Sequence, residues 1–116
     1  MSSDFTLESF TVETSDCVKL RTRLFKPGPN INIKDENFAV VLVHPYSVLG
    51  GSQGLLKGIA SGLALNGYTA VTFDMRGVGK STGRASLTGF AEVKDVVSVS
   101  NWVLLLLVLL LIRSKK

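Results

Sequence analysis

The sequence has only one cysteine, Cys17, and only one histidine, His44, among 116 residues. A single thiol can form neither an internal disulfide nor a cysteine-cluster metal site. A metal centre built on one histidine would need carboxylates at suitable spacing, and none cluster near His44 in the sequence. We therefore expect no metal and no cofactor. The hydrophobic fraction of 46% is ordinary for a chain that folds as one small domain.

The sequence also lacks a basic pattern suited to nucleic acid. Although the net charge is +4, Arg113, Lys115 and Lys116 supply three of those charges within the last four residues. No stripe of Lys and Arg is interleaved with aromatic residues, so we expect no nucleic-acid partner. The first ten residues are acidic and polar, unlike a secretory signal, which favours a cytoplasmic location.

The first part of the chain predicts an antiparallel hairpin. Apolar and polar residues alternate from Phe5 to Thr14, but the phase slips near Ser9 and Phe10, which predicts a β-bulge. After a turn, the residues at 18, 20, 22 and 24 alternate with Lys and Arg. The second strand should therefore have one face in water.

The middle of the chain predicts a right-handed βαβ unit. Residues 38–43 are continuously apolar and β-branched, which is typical of a parallel strand covered on both faces. Ser52 is a suitable N-cap for a helix that Asn66-Gly67 would end. Residues 68–73 then predict a second buried strand. The apolar stripe of this helix comprises Leu55, Leu56, Ile59, Ala60, Leu63 and Ala64.

The next segment, FDMRGVGKSTG (73–83), contains parts of two catalytic motifs. A P-loop needs a glycine five positions before Gly79, but Asp74 stands there and its carboxylate would repel phosphates. A G-x-S-x-G nucleophile elbow needs its serine on a sharp turn directly between a strand and a helix. Ser81 instead comes seven residues after Asp74. We therefore expect neither a nucleophile at Ser81 nor a nucleotide site, although nucleotide binding is kept as a third alternative.

The same stretch resembles the loop that follows the fourth strand in enzymes of the α/β-hydrolase fold superfamily, which has the form Asp-x-Arg-Gly-x-Gly-x-Ser. LVHPYSVLGGS resembles the oxyanion loop after the third strand, and GFAEVKDVVSVSNWV is similar to the next helix. The resemblance covers about residues 38–103. It implies an α/β fold that forms the N-terminal part of an α/β-hydrolase sheet: an antiparallel hairpin, then a βαβ unit and a long C-terminal helix. The implied strand order is 1-2-4-3, with a fifth strand beside the third.

The resemblance implies a Ser-His-Asp triad that hydrolyses ester, thioester or peptide bonds. Of that machinery this sequence supplies only the oxyanion loop. Pro45 has no N–H, so the candidate donors are the backbone N–H of Tyr46 or Ser47, or the Tyr46 hydroxyl, as in X-prolyl-peptidase-type members. The alternative for Tyr46 is an aromatic ring that fills the loop. His44 is expected to brace the loop by hydrogen bonds rather than to act as a base.

The loop after the fourth strand is expected to be structural. Asp74 and Arg76 should pair with each other or with loop carbonyls. Glu92 and Asp95 lie three apart on the next helix and are expected to be solvated or capping residues. The residues assigned to a structural loop are His44, Asp74, Arg76, Gly77, Gly79 and Ser81.

The second helix should start near Thr88 to Phe90 and run through Trp102, after which the sequence departs from the family. Leu104 to Ile112 is nine apolar residues in a row, seven of them leucine, followed by a basic end. This predicts a partial α/β-hydrolase domain over 1–103 and a leucine-rich hydrophobic tail over 104–116. The chain is expected to be truncated before the nucleophile elbow and to be catalytically inactive.

The tail gives the main alternative, a membrane-tethered interaction module without catalysis. Residues Trp102 to Ile112 are too short to span a bilayer, so weak membrane contact is favoured over a true span. A leucine-rich helix that associates with itself is the other reading of this segment. The substrate of the parent class, a small molecule or a peptide, is not indicated by the sequence.

Overall fold

A computed structural model describes residues 5–34, 38–44, 53–79, 81–84 and 90–114. Within these ranges, four strands form one mixed sheet in the order β1-β2-β4-β3, as predicted. The elements are β1 (Phe5–Glu13), β2 (Lys19–Pro27), β3 (Ala39–Val43), a 3₁₀ turn (Gln53–Leu56), α1 (Lys57–Leu65), β4 (Thr69–Phe73) and α2 (Phe90–Ser114).

The β1–β2 hairpin is regular along its whole length. Its register runs without interruption from Phe5 opposite Pro27 to Glu13 opposite Lys19, so the predicted bulge is wrong. The phase of the apolar pattern slips because β1 contributes to both faces of the sheet. Phe5 stacks on Phe25 on one face, whereas Phe10 and Val12 pack on the other.

The β4 strand occupies the centre of the described sheet, with β2 antiparallel on one side and β3 parallel on the other. Its residues from Ala70 to Phe73 are all buried. The β3 strand is parallel, as predicted, and both its faces contact the core, Val41 on the α2 side and Leu42 on the α1 side, but neither face is fully covered. It is only half-buried, and Val43 is 40% exposed. In the described part of the chain β3 is paired on one side only, which makes it the outer strand.

Helix α1 covers one face of the sheet through small side chains. Ala60 and Ala64 are fully buried against Phe25 and Ala70. Ile59, predicted in the buried stripe, is 56% exposed. The preceding 3₁₀ turn has three residues per turn instead of 3.6, so the helical phase does not carry through from the residues before Lys57.

The helix ends as the sequence indicates. Gly67 has a φ of +94°, and the Asn66 side chain donates a hydrogen bond of 2.7 Å to the Gly62 carbonyl. The predicted N-cap, Ser52, lies outside the described residues. Helix α1 begins later, at Lys57, directly after Leu56, which provides no side-chain cap.

Helix α2 covers the opposite face of the sheet. Val99 and Val103 are buried in the main core together with Leu20, Leu24, Val12, Val71, Phe73 and Met75. The helix begins at Phe90, within the predicted range, and continues without a break across the boundary proposed after residue 103. Leu107 still packs against the core. Within the described ranges, no helix combines the length and the apolar character needed to cross a membrane.

Candidate functional site

The carboxyl ends of β3 and β4 bring together most of the residues that the sequence assigned to the structural loop. His44 follows β3 directly and Asp74 follows β4. Since β3 and β4 are parallel, both residues lie at one edge of the sheet, the edge at which α/β folds bind ligands. The contacts of these two residues determine what this edge can do.

Asp74 is buried and accepts two hydrogen bonds from one residue, Gln53. The Gln53 backbone N–H donates to Oδ1 at 2.8 Å and its side-chain Nε2 donates to Oδ2 at 3.1 Å. The Thr72 hydroxyl donates to Gln53 Oε1 at 2.8 Å, and Gln53 Nε2 also contacts the Arg21 carbonyl at 3.1 Å. The start of the 3₁₀ turn is therefore fixed to the end of β4. Sequence reasoning missed Gln53, because nothing in the local pattern distinguishes it from a solvated glutamine.

Arg76 lies between two carboxylates from distant parts of the chain. Its Nε and Nη2 donate to Asp95 Oδ1 at 3.0 and 2.8 Å, and its backbone N–H donates to Asp95 Oδ2 at 2.8 Å. Its Nη1 and Nη2 donate to Asp16 at 2.8 and 3.2 Å. The Arg76 side chain is 7% exposed and that of Asp95 is 0% exposed. We name the set Asp16, Arg76 and Asp95 the arginine clamp.

The arginine clamp corrects two expectations. Within the described residues, the Asp74 and Arg76 side chains pair neither with each other nor with loop carbonyls: Asp74 accepts from Gln53, and Arg76 donates to Asp16 and Asp95. Glu92 and Asp95 are not solvated: they are 4% and 0% exposed. Asp95 faces the sheet because the buried Arg76 guanidinium needs a counter-charge there.

Within the arginine clamp, Asp16 and Arg76 each shift the pKa of the other. Hydrogen bonding to Arg76, and then to the Thr14 hydroxyl, holds the pKa of Asp16 well below its ordinary value. The hydrogen bonds that Arg76 donates to Asp16, followed by those that it donates to Asp95, raise the pKa of Arg76 above its ordinary value. Charge-assisted bonds of this forked type are the strongest hydrogen bonds in proteins. The clamp therefore joins the hairpin turn, the loop after β4 and helix α2.

His44 is buried and is hydrogen-bonded to the backbone. Its Nε2 accepts a hydrogen bond of 3.0 Å from the backbone N–H of Met75. A ring nitrogen that accepts is unprotonated, so the ring proton of the neutral form lies on Nδ1. In this position His44 ties the end of β3 to the residue after Asp74.

Ser81 is likewise held by the backbone. Its hydroxyl donates to the Asp74 carbonyl at 2.6 Å and accepts from the Arg21 N–H at 2.9 Å. Gly77 and Gly79 have φ values of +75° and +54°, and a Cβ on Gly79 would lie 2.5 Å from Asp74 Oδ2. The loop is therefore closed tightly over Asp74, which leaves no room there for a phosphate.

The two oxyanion candidates, Tyr46 and Ser47, lie outside the described residues, and so does Lys80. The segment that contains them runs from His44 to Gln53, and both of these flanking residues are described. Among the described residues, no group of three or more His, Cys, Asp or Glu side chains is arranged to hold a metal ion.

Comparison with known proteins decides the family. A sequence model of the X-Pro dipeptidyl-peptidase (S15) family matches residues 16–105, which is more than half of the chain. The chain belongs to this family. No curated protein sequence is significantly similar to it.

Solved structures agree with this assignment. The chain is 30% identical to an α/β serine hydrolase homologue from Coxiella burnetii, with a TM-score of 0.70 over 88% of this chain and 47% of that one. It is 26% identical to an α/β serine hydrolase without lid from Xanthomonas campestris, with a TM-score of 0.70 over 89% and 45%. A Pyrococcus furiosus esterase, 22% identical with a TM-score of 0.62 over 84% and 35%, shares the fold.

These matches define how much of the fold is present. The chain spans about half the length of the two serine hydrolases that it matches. Its sheet of four strands and two helices corresponds to the N-terminal part of an α/β-hydrolase fold, as the sequence predicted.

Proposed function

We propose that this S15-family chain forms the oxyanion side of a serine hydrolase site for ester, thioester or peptide bonds, and that it carries no nucleophile of its own. The observation that carries the proposal is the anchoring of residues 44 and 53. His44 is bonded to Met75 N–H, and Gln53 is bonded to Asp74. The two residues that flank the segment containing Tyr46 and Ser47 are thus bonded to two adjacent residues at the carboxyl edge, Asp74 and Met75.

Such anchoring is what an oxyanion loop requires. A donor stabilises the developing oxyanion only when it is positioned before the reaction, and each such donor contributes about 3 kcal/mol. The Tyr46 or Ser47 backbone N–H, or the Tyr46 hydroxyl, would supply the donor. The names of the matched relatives, peptidase, serine hydrolase and esterase, support an acyl-transfer reaction without selecting the substrate.

The proposed lack of a nucleophile rests on two contacts. A catalytic serine must be free to give its proton to a histidine nitrogen. The Ser81 hydroxyl instead donates to the Asp74 carbonyl, and His44 Nε2 already accepts from Met75. Neither group is available for proton transfer without breaking a contact that holds the loop.

The catalytic part of the proposal is tested with p-nitrophenyl acetate and a fluorophosphonate probe. We expect the purified full chain and its Ser81→Ala variant to give the same hydrolysis rate and no covalent labelling. Labelling that disappears in Ser81→Ala would refute the absence of a nucleophile.

The oxyanion part is tested in a chimera. This chain replaces the matched part of the Xanthomonas campestris serine hydrolase, and Ser47→Pro removes one backbone donor. We expect kcat to fall about 10²-fold when the working donor is lost, with Tyr46→Phe testing the hydroxyl in the same way. Lys26→Gln, far from the edge, is the matched control. Retained kcat in a folded chimera carrying both Ser47→Pro and Tyr46→Pro, which together remove all three candidate donors, would contradict the proposal.

We also propose a second function, self-association through helix α2. An exposed apolar stripe runs along the helix at Val93, Val97, Leu104 and Val108, which are 43–60% exposed. Their spacing of four, seven and four residues keeps them on one side of the helix, which gives α2 an apolar face that a second copy would cover. The Trp102 ring, expected at a membrane interface, lies 5.1 Å from the Phe10 ring on the core side.

Light scattering over a concentration series tests self-association. We expect the dimer fraction to rise with concentration and to fall in Val97→Gln, whereas Lys94→Gln on the same helix should change nothing. Binding to lipid vesicles by a chain that stays monomeric would favour instead the predicted membrane contact through Trp102 to Ile112.

A further inference from the structure

A groove of about 330 Å³ opens beside the β1–β2 hairpin. Its lining side chains are Thr11, Lys19, Arg21 and Thr82. Thr11 lies directly opposite Arg21 in the hairpin register. The Lys19 N–H donates to Thr82 Oγ1 at 2.8 Å, and the Thr82 N–H donates back to the Lys19 carbonyl at 2.9 Å. The walls of the groove are therefore fixed by the sheet.

The groove lies at the same edge of the sheet as the candidate active site but uses different residues. Since β2 runs antiparallel to β4, the start of β2 lies at the carboxyl end of β4. Ser81, next to Thr82, is bonded to the Asp74 carbonyl and to the Arg21 N–H. The loop after β4 therefore forms one wall of the groove.

The groove offers donors almost exclusively. Arginine and lysine have only donors, and Thr82 Oγ1 already accepts from Lys19, so its O–H is left to donate. Among the described residues, no carboxylate forms a salt bridge with Lys19 or Arg21. Glu13 stands opposite Lys19 in the register, but the two side chains form no salt bridge.

The other acidic groups of this region are engaged elsewhere. Asp16 is bonded to Arg76, and Asp74 is bonded to Gln53. Two positive charges and two hydroxyl groups thus line the groove, and no carboxylate in the described part of the chain forms a salt bridge with either charge. A ligand that fits this lining must offer several acceptors and carry negative charge.

We propose that this groove binds a small phosphorylated molecule, with the phosphate held by Arg21, Lys19 and the two threonine hydroxyls. The forked guanidinium of arginine matches two phosphate oxygens at once, and lysine adds a second positive charge. The cavity is roughly ten times the ~30 Å³ that one water molecule occupies in the liquid, so an organic group fits beside the phosphate. This inference does not rest on the proposed hydrolase function.

Isothermal titration calorimetry of the full chain with phenyl phosphate tests the inference, with phenol as the uncharged comparison. We expect saturable one-to-one binding of phenyl phosphate and none of phenol. Arg21→Gln should weaken binding about tenfold, because a charge-assisted contact is lost. Glu13→Gln should tighten binding, because it removes the carboxylate opposite Lys19.

Lys26→Gln is the matched control, since Lys26 is a cation of the same strand that pairs with Glu8 at 3.1 Å, outside the groove. We expect it to change the affinity less than twofold. Three results would each overturn the inference: no saturable binding of phenyl phosphate, equal binding of phenol, or an equal loss in Lys26→Gln and Arg21→Gln. If Arg21→Gln does not fold, Lys19→Gln replaces it with the same expected direction.

Discussion

Replacement of Asp95 by asparagine should destabilise the chain more than the loss of any surface ion pair. Asp95 is fully buried and accepts three hydrogen bonds from Arg76. Removing one member of a buried pair costs about 3–5 kcal/mol, because the other charge is left without compensation. Asp16 still faces Arg76 in the variant, so we expect a loss near 3 kcal/mol. That is a large part of the 5–15 kcal/mol that stabilises a typical domain.

Urea unfolding followed by circular dichroism measures this loss. With a slope of about 2 kcal/mol per molar urea, the midpoint should fall by roughly 1.5 M. Glu8→Gln is the control, because the Glu8–Lys26 pair has a similar contact distance of 3.1 Å but both side chains are 45% exposed. Such pairs contribute about 0.5 kcal/mol or less. A midpoint for Asp95→Asn that matches Glu8→Gln would show that the arginine clamp does not stabilise the fold.

Two other predictions concern pH and backbone geometry. The pKa of Asp16 is lowered in the folded state, so its contribution is present above the ordinary aspartate pKa of about 3.9 and is lost as the pH falls toward the folded value. The difference in urea midpoint between the parent and Asp16→Asn should therefore be constant above about pH 5 and narrow below pH 4; narrowing toward high pH would contradict this. Gly67→Ala should lower the melting temperature, because φ is +94° and the new Cβ would clash with the Asn32 carbonyl oxygen. Gly58→Ala, in open space within α1, should raise the melting temperature, because alanine stabilises a helix by about 0.5–1 kcal/mol relative to glycine. Thermal melts of the two variants that shift in the same direction would count against this account.

The sequence itself predicted the βαβ unit because parallel strands have a distinct apolar composition, whereas the order of the strands was implied by the resemblance to the α/β-hydrolase superfamily. The apolar run at 38–43 and the buried strand ending at Phe73 identify the βαβ unit without any tertiary information. The end of α1 was predicted for a similar reason, since Asn66-Gly67 carries its own backbone preference. The strands of the βαβ unit and the end of α1 could be predicted because each depends on residues that are adjacent in the sequence.

The partners of the charged residues could not be predicted in the same way. Two carboxylates three residues apart look the same on a solvated helix face and on a face turned toward a buried guanidinium. Asp95 belongs to the second kind only because Arg76 reaches α2 from the loop after β4. Gln53 was missed for the same reason, since its buried role depends on Asp74, 21 positions away. The apparent bulge near Ser9 also has a tertiary cause, the burial of β1 on both faces.

We infer that the polar contacts at the carboxyl edge serve mainly to set geometry. An apolar replacement of a buried ion pair is often equally stable, so stability alone does not account for the arginine clamp. Apolar contacts, however, do not fix direction, whereas the planar guanidinium holds Asp16 and Asp95 at defined angles. Met75, whose N–H binds His44, lies between Asp74 and Arg76, so the segment after His44 starts from a position that the clamp helps to set. The turn between β1 and β2, remote from His44 in sequence, is thereby connected through Arg76 to the loop residue that His44 contacts.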